Sequence, residues 1–476
     1  MIVLVVLVAL AVVYIGFNQW DAPPPTFSIE GLGDNVDTSS FKNFYSTFLT
    51  QPSFDKRNGY YRLWTLTEPE GTDVESDDVI FKYRRFYDPK FDNDKYIKEW
   101  NASDENWFTN RKGYKGSFKP YLTKWKQMLK KDGDWVNPPK DPTQDWTREV
   151  LAHRDIVVEL QTLEKVFLER YQRVVDSEVF EDFTLIRPDF PVPHLLAWLQ
   201  VTKLYIIVHM LDAVDGNWET GVSHLLNHIR FSKKAVKGSR TLILNLVAKA
   251  VQRLTLQALA SLMNQPEFPA PLYEKIIDGL PPLENEDFGT RVPMLLEGFN
   301  LTRIEKGGLL LQKNRTRQYF CDLVSKLVNS EKIPPFQWES SPLENNKVKN
   351  GWFWWLQNPA GKSEFERVAE SQTVSNLFTV VFKSYSLKAI YEMTRISAEL
   401  HLHYTPGKDK TVKEVLDRLE TYRSWVDPGS GKPYVWDERR QVLYSIGTDR
   451  DDDGGKADYT TIDTDIILPV VLYIKN

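Results

Sequence analysis

Near its carboxyl end the chain gathers carboxylates around glycine: Tyr444-Ser-Ile-Gly-Thr-Asp449-Arg-Asp451-Asp452-Asp453-Gly454-Gly455, closed by Asp463-Thr-Asp465. Seven aspartates fall between Asp449 and Asp465. Like charges packed this densely repel unless a cation neutralises them. Asp449, Asp451, Asp453 and Gly454 match positions 1, 3, 5 and 6 of a calcium loop, where three oxygens converge and a glycine allows a sharp turn. Position 12, the bidentate glutamate of an EF-hand, is Thr460, so the stretch is not an EF-hand. Asp463 or Asp465 would complete the shell instead. The expected cofactor is a structural Ca2+ ion; the rival is a solvated acidic turn between strands.

Other chemistry-bearing residues point to less. His224 and His228 lie one helical turn apart, a spacing that can grip a metal, but no HExxH glutamate accompanies them and no third ligand is evident. Structural roles are expected for both. His401-Leu-His403 closes another helix, where a cationic imidazole suits the dipole. Asn358-Pro-Ala-Gly-Lys362-Ser363 ends like a phosphate loop but has Leu356 in place of the first glycine. Pro428-Gly-Ser-Gly-Lys432 fails as well, with Pro433 where a hydroxyl should bind magnesium, and Ser430 lacks the frame of a nucleophile elbow. Carboxylate pairs are plentiful and none is singled out. No catalytic residue is assigned, and the expectation is a protein that is not an enzyme.

The elements that must carry these residues follow from composition and periodicity. At 476 residues, 42% hydrophobic and 26% charged, the chain is long enough for two or three folded domains. A net charge of -5 without a basic block argues against nucleic acid as a partner. Cys321 is the only cysteine, so no intrachain disulfide forms; this fits a reducing compartment or an envelope protein that avoids thiols.

Residues 1–20 are expected to be a transmembrane anchor. Met1 to Phe17 is uncharged and almost wholly aliphatic, and a helix of about twenty residues spans a bilayer core, with Trp20 at the interface and lipid as the partner. A cleaved signal peptide is the rival, but Ala9-Leu-Ala11 comes too early to be its cleavage site. An ion site needing millimolar calcium suits the extracytoplasmic side. The placement expected is therefore a single pass through the cytoplasmic (inner) membrane with the body in the periplasm.

Residues 21–146 read as an irregular, aromatic-rich segment that leaves the membrane on the stiff Pro23-Pro-Pro25 spacer. Trp100, Trp107, Trp125, Trp135 and Trp146 recur there. They latch the segment onto the helical body or, alternatively, form a glycan-binding or hydrolase surface of stacked aromatics. Residues 147–335 have helical period. Ile156, Leu160, Leu163, Phe167 and Tyr171 form one stripe. A second helix starts after Pro191-Val-Pro193 and breaks at Asp215-Gly-Asn217, a third runs from Trp218 to Val236, and Gly238-Ser239 breaks again. A fourth places Ile243, Val247, Ala250, Leu254, Ala258 and Leu262 on one face, with Asn245, Lys249, Arg253 and Gln257 on another. Helices of this length joined by short turns suggest a tetratricopeptide-like α-hairpin array, a type of body that usually holds protein partners.

Residues 336–370 read as a linker and 371–476 as one α+β unit. A long helix through Phe382, Tyr385, Ala389, Met393, Ile396 and Leu400 stops at Thr405-Pro-Gly407, and Thr411-x-x-Glu414 is a capping box for a short helix. Strands follow at 433–436, 441–446 and 466–474. Asp427-Pro428, Gly431-Lys-Pro433, Leu443-Tyr-Ser445-Ile-Gly447-Thr-Asp449 and Asp463-Thr-Asp465-Ile466 stand in the order seen in the globular part of a type II secretion major pseudopilin. The unit resembles that family. The resemblance implies a calcium ion held by Asp449 and by Asp463 or Asp465, with backbone carbonyls near Leu443 and Ser445. Over its full length the chain resembles a group of uncharacterised bacterial membrane-anchored proteins with a helical body and a tail of this kind. Asn58-Gly-Tyr-Tyr-Arg-Leu-Trp-Thr-Leu and Arg187-Pro-Asp-Phe-Pro-Val-Pro are typical of that group.

The fold class expected is mainly α: one N-terminal transmembrane helix, an α-hairpin body, and a small pseudopilin-like α+β unit. The function expected is a non-catalytic scaffold or interaction subunit of a bacterial envelope assembly.

Overall fold

The computed structural model describes Phe27 and residues 57–66, 68, 71–76, 135–139, 141, 144–182, 193, 195–301, 313–338, 372–405, 409, 411–447, 450–455 and 466–469. The predicted membrane anchor and most of both the aromatic-rich front and the predicted linker lie outside them. Over the described residues the protein is mainly helical, with one small sheet near the carboxyl end. Two compact units divide the chain. The larger takes in 52–239, 243–289 and 383–476; the smaller takes in 1–51, 240–242 and 290–382.

The larger unit begins with α1 (Gly59–Thr65), whose N-cap Asn58 accepts a hydrogen bond from the Tyr60 amide. The next stretch is three helices rather than one: α2 (Trp146–Ala152), α3 (Arg154–Leu163) and α4 (Lys165–Val175). Breaks at His153 and Glu164, near φ −110° and ψ +20°, rotate each helix against the one before. The sequence stripe therefore does not hold its phase. Leu160, Phe167 and Tyr171 are buried, whereas Leu163, just before a break, is half exposed.

Next come α5 (Leu195–Asp212), α6 (Trp218–Gly238) and α7 (Leu242–Met263). The chain turns between α5 and α6 at Gly216, whose φ of +102° is a conformation that few residues other than glycine adopt. His224 of α6 thereby returns to stack on His209 of α5, with ring centroids 4.0 Å apart. Leu195–Gly238 is the one stretch among the described residues long and apolar enough to cross a membrane by length and composition. Its packing is that of core helices. Trp198, Val201, Leu204, Ile206 and Ile207 are fully buried, and apolar residues all round a helix mark a buried one.

Helix α7 departs from the predicted faces. Ile243, expected inside, is 52% exposed, and Asn245 and Lys249, expected on the polar face, are buried. Each has a partner: Asn245 Nδ2 donates to the Val236 carbonyl at 3.1 Å, and Lys249 Nζ donates to Ser384 Oγ at 2.7 Å. A polar side chain satisfied this way can occupy an interior position that periodicity assigns to an apolar one. Pro271 opens α8 (Pro271–Gly279).

In the smaller unit α9 (Arg291–Leu301) packs on α10 (Lys313–Ser330), with Met294, Leu295, Leu296, Phe320, Val324 and Leu327 buried. Cys321 lies in this interior, where burial pushes its thiol up to about 12.

The long predicted helix is present as α11 (Gln372–His403), with residues 383–403 in the larger unit. Thr411 caps α12 (Val412–Leu416) by accepting from the Glu414 amide at 3.2 Å, and α13 (Glu420–Ser424) follows. The sheet is antiparallel in the order β1 (Val435–Asp437), β2 (Val442–Ser445), β3 (Ile466–Pro469).

Candidate functional site

In the C-terminal part of the larger unit, Asp427 is fully buried. Its carboxylate accepts from the amides of Gly429 (3.1 Å), Ser430 (3.2 Å) and Ile446 (3.3 Å) and from the Ser445 hydroxyl. A buried carboxylate is tolerated when donors surround it. Main-chain bonds from the Asp427 amide to the Lys432 carbonyl and from the Gly431 amide to the Asp427 carbonyl, both 2.8 Å, close the turn. A side chain at Gly429 would meet the Gly447 carbonyl oxygen at 1.9 Å, so only glycine lets the turn lie against the end of β2.

The acidic loop leaves from that same end. Arg450 and Gly454 have φ of +68°, and Gly454 thus has the left-handed turn that the calcium-loop spacing calls for. The Tyr444 hydroxyl donates to Asp452 Oδ1 at 3.1 Å, and the same oxygen accepts from the Gly454 amide at 2.9 Å. Arg440, on the β1–β2 connection, donates to the Gly454 carbonyl at 2.8 Å. The Tyr444 phenol and the Arg440 guanidinium thereby tie segment 450–455 to the sheet.

Of the predicted ligands, Asp451 and Asp453 are exposed on this tied loop. Leu443 and Ser445 are buried on the central strand, facing Leu468 and Ile466 in the β2–β3 register. The side chain of Ser445 serves Asp427. Asp449, Asp463 and Asp465 lie outside the described residues. Among the described residues no three His, Cys, Asp or Glu side chains converge as a metal site. What the described residues provide toward a cation is two exposed carboxylates on a preformed turn.

The predicted histidine pair proves to be part of a different arrangement. His228 is fully buried, with Nδ1 2.7 Å from Thr255 Oγ1 and Nε2 2.7 Å from the Tyr171 hydroxyl. Thr255 donates to the Val251 carbonyl, so it accepts from His228 Nδ1–H, and Nε2 then accepts from Tyr171. The Tyr171 oxygen also accepts from Trp198 Nε1 at 3.0 Å and sits 2.7 Å from Thr202 Oγ1. All partners are neutral. Burial lowers the His228 pKa to about 3, in keeping with a neutral imidazole. His224 faces outward from this network toward the Tyr205 hydroxyl, 3.2 Å from its Nδ1. His401 stacks on Tyr273 with centroids 4.9 Å apart, and burial lowers it to about 4.

Two tryptophans of the front are described among the five, and both are packing groups. Trp146 is buried and donates to the Trp135 carbonyl at 3.0 Å, while Trp135 stacks on His153 with centroids 4.5 Å apart. Trp100, Trp107 and Trp125 lie outside the described residues.

The roles of Asp427 and Arg440, and the partnership of Tyr171 with His228, are the features that residue spacing alone does not give. For Asp427 a local signal exists: an aspartate directly before Pro-Gly-Ser-Gly marks a turn whose amides can point back at the carboxylate. No protein-family model, curated protein or solved structure matches the chain.

Proposed function

We propose that the chain is a membrane-anchored, non-catalytic interaction subunit of a bacterial envelope assembly, with its C-terminal unit stiffened by calcium. The observation that carries the reading is the tied acidic loop. Tyr444 and Arg440 fix segment 450–455 against the sheet, and Asp451 and Asp453 stand exposed on it. A turn fixed beforehand loses less conformational freedom when an ion binds than a mobile one does. In this proposal Asp449 and Asp463 or Asp465 complete the shell, as in the pseudopilins that the unit resembles. Residues 1–20 hold the chain in the cytoplasmic membrane, and the helical body lies outside the cytosol.

Among the described residues, one histidine and the cysteine are taken up in packing, in keeping with a binding role. His228 is locked between Tyr171 and Thr255, and the buried Cys321 thiol is pushed up to about 12.

The metal part is tested by melting the chelator-treated protein with and without calcium. At a tenfold excess over its dissociation constant, calcium is expected to add about 1.4 kcal/mol of stability, lost in Asp451→Asn and Asp453→Asn variants. An unmoved melt would sink the calcium reading. The assembly part is tested by sizing the native protein in mild detergent; recovery only as a free single chain counts against it.

A further inference from the structure

A second charged region of the larger unit carries the opposite sign. Arg230, Lys233, Lys234 and Lys237 occupy the last turns of α6 and line one cleft of about 360 Å³, with Asp278 and Tyr391 on its other walls. Spacings of three, four and seven put all four cations on one helix face, within about 10 Å along the axis. Like charges so placed repel, and the carboxylates at hand offset them only in part. Asp278 shares the wall, and Asp287 accepts from Lys233 and Lys237 at 2.7 Å each. Among the described residues that line the cleft or pair with its lysines, four cations meet two carboxylates, in a chain whose net charge is -5.

The lysines are also oriented. Asp287, its side chain 4% exposed, holds two of the ammonium groups, and Lys234 Nζ donates to the Ser177 carbonyl at 3.0 Å. An ammonium has three N–H donors, so Lys233 and Lys234, held by Asp287 and the Ser177 carbonyl, have others to give. Arg230 is exposed, and its planar fork matches phosphate oxygens. The cleft has the size of small-ligand sites.

We propose that this cleft binds a compact phosphate-bearing dianion, a phosphomonoester or pyrophosphate group, through Arg230 and the lysines that Asp287 and Ser177 orient. The ester could be free or the headgroup of a lipid; the recognising chemistry is the same.

The full chain in mild nonionic detergent is titrated with inorganic pyrophosphate by calorimetry. Saturable binding is expected, weakened about tenfold in Arg230→Gln and about tenfold in Lys234→Gln. Lys165→Gln, at an exposed position of α4, should bind as the parent does. Arg230 is at the surface, so its variant is expected to keep the parental melting temperature, and it decides the matter alone if Lys234→Gln does not fold. Displacement of pyrophosphate by dihexanoyl phosphatidic acid more tightly than by glycerol phosphate supports the site and assigns a lipid headgroup. Equal displacement supports it and assigns a soluble ester. No saturable binding, binding untouched by Arg230→Gln, or equal weakening by Lys165→Gln overturns the proposal.

Discussion

The helical interior and the C-terminal corner both bury polar groups, by opposite means. Around Tyr171 and His228 every partner is neutral: a phenol, an imidazole, an indole and two hydroxyls, drawn from five positions between 171 and 255. Around Asp427 the buried group is a carboxylate, and its four donors come from residues 429 to 446. A charge loses far more on leaving water than a hydroxyl does, so it needs donors whose positions are already fixed. The tight turn supplies two of them, the amides of Gly429 and Ser430, and the end of β2 supplies the other two. The neutral network can be assembled from distant side chains because each bond in it asks less. The cost of the neutral solution is sensitivity to acid, since an imidazole can take up a proton.

The contrast predicts that the charged corner is the harder to damage without collapse. Asp427→Ala removes the shared acceptor of three amides and one hydroxyl, two of them fully buried, and should cost about 4 kcal/mol, read by chemical denaturation. Tyr171→Phe removes one hydroxyl from a network of neutral partners and should cost about 3 kcal/mol, stranding Trp198 Nε1 and His228. If Tyr171→Phe proves the more damaging of the two, the ranking of charged above neutral burial is wrong for this protein.

Acid separates the regions further. Burial lowers His228 to about 3, below its ordinary 6.5. With the folded value below the unfolded one, the unfolded chain binds the proton first as pH falls. The histidine's contribution is therefore whole above pH 6.5 and shrinks as the pH drops from there toward 3. Glu392, which burial raises to about 6 despite Lys388 beside it, runs the other way, so the test is a difference. Between pH 7 and pH 5 a His228→Gln variant should lose about 2 kcal/mol less stability than the parent. Equal losses would place the acid sensitivity elsewhere.

The same contrast explains what could be read from the chain. Thr411 with Glu414 and the break at Gly216 are local signals, each settled within a few residues. The mainly helical character followed from period. What did not follow was phase: a break at Glu164 turned Leu163 outward, and the interior positions of Asn245 and Lys249 depended on acceptors at Val236 and Ser384. Tyr171 meets His228 across 57 residues, and no local pattern encodes a partner that far away. Gly454, the glycine of the predicted loop, has a positive φ; of the predicted metal ligands, Asp449, Asp463 and Asp465 fall outside the described residues.

The smallest effect is expected at Arg440, and it bears most directly on the acidic loop. Arg440→Gln removes the guanidinium bond to the Gly454 carbonyl, an exposed contact worth about 1 kcal/mol. Its influence on calcium has two opposing parts. Losing a positive charge beside the aspartates favours cation binding, but at a solvated surface that gain is well under about 1 kcal/mol and is screened by salt. Losing the tie lets segment 450–455 move, and an ion must then order the loop that Arg440 had fixed, at roughly 1 kcal/mol for each residue freed. The second part is larger. Arg440→Gln should therefore weaken the calcium-induced rise in melting temperature, and high salt should not restore it. A stronger calcium response in the variant would mean that Arg440 competes with the ion as the loop's own counter-charge.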